Sequence, residues 1–148
     1  MAERWIRASG YALAIVFAAV GVIFLLIPAR VLAFFNGLSG PLGLPPAPAP
    51  EAPFFVVLAA AYMSVVTVLA WNAGANPEVR VYPRLLAMAK AVSSFLSFGY
   101  FAFGARYLIL LANGIVDGAI ALFVLWMFLR GGKAPAAPGP SGRRGDGG

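Results

Sequence analysis

Four long, mainly apolar runs divide this chain, at about 11–28, 53–71, 85–103 and 107–129. Each is roughly 18 to 23 residues, the length that crosses a hydrocarbon core of about 30 Å as a helix. Only helices and closed barrels satisfy every backbone polar group in lipid. The runs lack the strict alternation of barrel strands, which leaves helices. Composition agrees. The 148 residues are 61% hydrophobic and 11% charged, against about 25% charged in an ordinary soluble domain. The sequence therefore predicts an all-α polytopic integral membrane protein, an antiparallel up-down bundle of four transmembrane helices over 1–130. The remainder, 131–148, is a basic Gly/Pro/Ala tail that cannot build a core and is expected to be disordered.

Lys and Arg set the expected direction of insertion. Arg4, Arg7, Arg80, Arg84, Arg130, Lys133, Arg143 and Arg144 fall on one side, and only Arg30 and Arg106 on the other. Lys90 lies inside the third run. This bias predicts both termini in the cytoplasm and a multi-pass location in a plasma membrane, most simply a bacterial inner membrane. Trp5, Trp71 and Trp126 map to the same side, where Trp favours the interface. Arg4 and Arg7 before an apolar run also suit a secretory signal. The first run, however, is longer than the 7 to 15 apolar residues of such signals, so it is read as an anchor. The net charge of +6 is read as topology, with no nucleic-acid partner.

Missing residues exclude most chemistry. There is no Cys and no His, and the carboxylates are only Glu3, Glu51, Glu78, Asp117 and Asp146. Thiol chemistry, His-ligated haem, the usual zinc sites and a catalytic Ser-His pair are thereby excluded. No phosphate-binding or calcium-loop fingerprint is present. No catalytic residue, no metal site and no cofactor is expected, and the balance is against an enzyme.

The informative residues are polar ones inside the runs. Lys90, Ser93, Ser94, Ser97, Tyr100 and Gly104 recur at three- and four-residue spacing, which places them on one helix face. Asn113 and Asp117 are one turn apart on the fourth run, beside Gly114, Gly118 and Ala121, small residues suited to close helix packing. Counting 1.5 Å per residue from Leu129 puts Asp117 roughly 18 Å into the membrane, and counting from Arg84 puts Ser97 roughly level with it. Lys90 then lies only about 9 Å in. Ser97, with Tyr100 or Ser94, is therefore the expected partner of Asp117, and Lys90 is expected to reach toward the cytoplasm; a direct Lys90–Asp117 pair, closed by side-chain length and helix tilt, is the less favoured alternative. The serines are expected to bond their own i−4 carbonyls. Tyr62 of the second run can approach the same zone. The first run, with Ala14, Ala18 and Gly21, reads as a packing helix.

The loop after the first run predicts one interfacial helical turn at 31–37, with Phe34 and Phe35 in the headgroups. It continues as extended polyproline structure through Pro45, Pro46, Pro48 and Pro50. Asn76-Pro77 and Tyr82-Pro83 are read as helix-stopping signals.

Gly21, the apolar run after it, Pro28 and Phe34-Phe35-Asn36-Gly37 resemble the DoxX-like group of small four-helix bacterial membrane proteins. The resemblance covers about the first 40 residues. It implies a four-helix inner-membrane protein, some members of the group being accessory subunits of quinone-linked complexes. It carries no site residue over.

Two functions lead at this point, with a membrane enzyme acting on lipid or quinone near Tyr62, Tyr100 and Asp117 as a third. One is a non-enzymatic accessory or structural subunit, whose partners are the lipid bilayer and other membrane chains or further copies of itself. The other is a small oligomeric transporter or channel using Asp117 as an intramembrane proton or cation site. They differ in whether Asp117 meets water.

Overall fold

The structure, a computed structural model, describes residues 2–49 and 53–130. The tail expected to be disordered lies outside the described residues. The described chain is all-helical. Its helices are α1 (Ala2–Leu26), α2 (Pro28–Ser39), α3 (Pro53–Ala75), α4 (Val81–Phe103) and α5 (Leu108–Arg130), with one 3-10 turn at Gly40–Leu42. Four of them, all but α2, are long and apolar enough to cross a membrane.

The helix boundaries follow local chemistry. Helix α1 begins nine residues before its apolar run, at Ala2 rather than Tyr11. Nothing in that stretch breaks a helix, and Glu3 and Arg7 form an i,i+4 ion pair of 3.5 Å. It ends at Leu26 because the residue before a proline is pushed out of the helical region. Ile27 takes φ −135° and ψ 47°. Pro28 then opens α2, where its missing N–H costs nothing. Helix α2 is 12 residues long, so the single turn expected at 31–37 is too short. The 3-10 turn that follows it closes at Gly43, whose φ of +65° is the left-handed value that glycine adopts freely. Helix α4 also starts early, at Val81. Pro83 sits in its first turn, where no intrahelical bond is lost, and does not stop the helix.

The segment after α2 is held back on it by one side chain. The Asn36 amide donates to the Ala47 carbonyl at 2.9 Å and accepts the Ala47 N–H at 2.8 Å. Residues 44–49 carry no regular secondary structure, and Pro50 lies outside the described residues.

Packing is closest in two helix pairs. In the first, α1 meets α3 through glycine. A Cβ at Gly10 would sit 2.5 Å from the Gly74 nitrogen and 2.6 Å from its Cα. Gly21 faces Met63 in the same way, at 3.0 Å. Tyr11 meets Trp71 edge-on at 4.8 Å. In the second pair, Gly114 of α5 lies under the Phe98 ring of α4, and Gly118 under Ser94. In each pair, positions rise along one helix as they fall along its partner. Ala14, Phe17, Val66, Ala70, Leu86, Ala87 and Val124 form the core shared by all four long helices. No residue of α3 from Phe54 to Met63 is buried, so the core sits toward the ends of α3 and α5.

Candidate functional site

The turn between α4 and α5 decides what their polar residues meet. Gly104 and Ala105 both donate to the Tyr100 carbonyl at 3.0 Å, and α5 begins at Leu108. That short link fixes the register. Ser97 therefore lies level with Asn113, whose amide donates to the Ser97 hydroxyl at 2.8 Å and to Ser93 at 3.3 Å. Asp117 lies one turn further along.

The expected pairing of Asp117 with Ser97 is thus corrected. Lys90 Nζ donates to Asp117 Oδ1 at 2.9 Å. Their side chains are 3% and 5% exposed. The boundary count from Arg84 and Leu129 left a gap of about 9 Å, which the true register cuts to about one turn, or roughly 5 Å. A lysine chain spans that distance. Lys90 turns to Asp117 and not toward an aqueous edge, because that would leave the Asp117 carboxylate buried without a partner.

Two aromatic rings complete the surroundings of the ammonium. Phe17 lies 4.6 Å and Tyr62 5.2 Å from Nζ, measured to the ring centroids. Both are within cation–π range. One nitrogen on α4 therefore touches α1 through Phe17, α3 through Tyr62 and α5 through Asp117. Tyr62 also donates its hydroxyl to the Ala89 carbonyl at 3.0 Å. Among the described residues no buried side-chain nitrogen or oxygen lacks a hydrogen-bond partner.

The serines divide by helix. Ser64 and Thr67 on α3 donate to their own i−4 carbonyls, Ala60 and Met63, at 2.9 and 2.7 Å. Ser94 on α4 departs from that expectation and donates across to the Gly114 carbonyl at 2.7 Å. The close approach over Gly114 and Gly118 brings that carbonyl within reach. The partner of the small-residue face is thus inside the chain, and Ala121 on it is 4% exposed. Tyr100 stands apart at 68% exposed.

Sequence reasoning missed Phe17, Gly10 and Gly74. Gly10, Ala14, Phe17 and Gly21 recur at three- and four-residue spacing, and all four are buried. That spacing was the available signal. Ala18, read as a packing residue, is exposed.

Chemically the centre is closed. Lys90 Nζ and Asp117 Oδ1 are paired with one another inside the protein. Among the described residues, shallow grooves lie elsewhere. One, of about 350 Å³, is centred on Gly99 between Phe95 and Phe103. Another, of about 310 Å³, runs between α1 and α3 beside Gly21 and Met63. Neither is lined by Lys90 or Asp117. Among the described residues no group of three carboxylate, His or Cys side chains is placed to hold a metal ion. The chain matches no known family model, no curated protein and no solved structure.

Proposed function

We propose that this chain is a non-enzymatic structural or accessory subunit of a membrane assembly. In this reading it is an antiparallel up-down bundle in a bacterial inner membrane, with both termini cytoplasmic. One observation carries the functional part: the intramembrane carboxylate is sealed, at 5% side-chain exposure, against the intramembrane ammonium. A proton or cation site needs a carboxylate that exchanges with water. Asp117 instead serves as an internal tie between helices. The topology rests on the cation bias of the sequence and on the opposed order of contacts within each helix pair. The resemblance of the first 40 or so residues to DoxX-like proteins points the same way.

An accessory subunit has its role through what it joins. The test is the native mass of the tagged protein after mild extraction from its own membrane, with every co-purifying chain identified. The proposal expects a stoichiometric foreign chain. A bare homo-oligomer that conducts protons or cations in vesicles, and loses that flux in Asp117→Asn, would overturn it in favour of transport.

A further inference from the structure

Helix α2 cannot cross a membrane. Its 12 residues rise about 18 Å, well short of a hydrocarbon core of about 30 Å. Yet it lacks the charged face of a helix lying in water. Its inner side is already committed to the chain. Leu32 and Phe35 are partly buried. Ser39 is 1% exposed and donates to the Asn36 carbonyl at 2.8 Å. Asn36 clamps Ala47 through both of its polar atoms. The other side carries Arg30, Phe34 and Leu38 at every fourth residue, and Leu42 extends it into the 3-10 turn. Phe34, Leu38 and Leu42 are 62%, 47% and 62% exposed. Ala29, Ala33 and Gly37 lie beside them, also exposed. The helix is thus apolar on both sides, with one cation in its first turn.

We infer that α2 lies in the membrane–water interface, with Phe34, Leu38 and Leu42 among lipid acyl chains and Arg30 at the level of the phosphates. Continuity argues for lipid as the occupant. Leu25 and Leu26, at the end of α1, and Ile27 just after it are 49%, 70% and 40% exposed. Only Ile27 separates α1 from α2, so the lipid-contacting surface of a spanning helix runs directly onto the exposed face of α2. Charge complementarity is the second argument, since Arg30 is exposed and matches an anionic headgroup. Helices of this kind bury their apolar face about 5 to 10 Å into the headgroup and acyl boundary.

The absence of native cysteine makes a direct test available. Phe34→Cys and Leu38→Cys are made separately in the full chain, labelled with a nitroxide and reconstituted into vesicles of phosphatidylcholine with phosphatidylglycerol. Collision rates with dissolved oxygen and with a water-soluble nickel chelate report depth. Val65→Cys, on the exposed face of α3, is the lipid reference, and Glu3→Cys is the aqueous one. Both α2 labels should favour oxygen over nickel, at a depth between the two references. Adding Arg30→Gln should shift that depth more in the anionic vesicles than in pure phosphatidylcholine, whose phosphate is balanced by choline. Nickel access equal to that at Glu3→Cys would overturn the inference by placing the face in water. Shielding from both reagents would overturn it by showing that protein covers the face, and an identical depth with Arg30→Gln in anionic vesicles would remove the phosphate contact.

Discussion

The α1/α3 pair and the α4/α5 pair both approach closely over glycine, but only the second adds polar bonds between its helices. Helix α1 approaches α3 where side chains are missing, at Gly10 against Gly74 and at Gly21 against Met63. Helix α4 holds α5 through polar bonds: Lys90 to Asp117, Ser94 to the Gly114 carbonyl and Asn113 to Ser97. The difference lies in what each contact specifies. Close packing of apolar helices is attractive at many alignments, because lipid tails are as apolar as the helix surface and van der Waals fit alone decides. A buried ion pair tolerates one alignment. A slip of one turn in the direction that widens the offset between Lys90 and Asp117 would leave both charges unpaired, at a cost of several kcal/mol. The polar pair therefore fixes register, and the glycine pair fixes distance.

Breaking the polar pair should have the largest effect. Lys90→Met or Asp117→Leu alone leaves one buried charge without its partner and should destabilise the fold by about 3 to 5 kcal/mol. Unfolding in mixed detergent–SDS micelles measures it. A loss under about 1 kcal/mol would mean that the remaining charge finds water, and that the centre is not closed.

Breaking the glycine pair should come next. Gly10→Ala forces a methyl into the Gly74 backbone, which no side-chain rotation relieves, and should cost about 1 to 3 kcal/mol. Gly99→Ala is the matching control, because nothing lies within 4 Å of the new atom. It should cost nothing, and a helix-propensity gain of up to about 1 kcal/mol is the upper bound. Equal losses in the two variants would show that α1 and α3 do not touch as described.

Two serines sharpen the comparison at smaller scale. Ser94→Ala removes a bond between helices and should cost about 0.6 kcal/mol, the average for such bonds in membranes. Ser64→Ala removes only a bond to its own helix, on an exposed face, and should fall within about 0.5 kcal/mol of no change. A reversed order would break the distinction between the α3 and α4 serines.

How much of this was legible in the sequence can be read from the same residues. The spanning helices were legible because apolar runs of membrane length have one open-chain solution. Their ends were less so, since hydropathy marks where apolar residues stop and not where a helix does. Glu3 and Arg7 continue α1 beyond its apolar run, and Pro83 is harmless in the first turn of α4. That offset also misplaced the partner of Asp117. An error of a few residues at each boundary is a full turn at the midplane, enough to exchange Ser97 for Lys90. The candidate polar residues were legible as a face, but their pairing depends on a turn of four residues at 104–107. Helix α2 was underestimated because Pro28, read as the close of a span, is the opening of a helix, and because Asn36 finds its partner 11 residues away. The Gly10–Gly74 contact joins residues distant in sequence: the spacing of Gly10, Ala14, Phe17 and Gly21 marks the face of α1 but not the residue it meets.

The central claim is that Lys90 and Asp117 act as one neutral tie. A double-mutant cycle tests it most directly, comparing the unfolding free energies of Lys90→Met, Asp117→Leu and the two combined. The account predicts that the combined variant lies within about 1 kcal/mol of the native chain while each single variant loses about 3 to 5 kcal/mol, because removing both charges removes the unpaired one. Losses that simply add in the combined variant would contradict it, and would mean that each charge has its own separate partner.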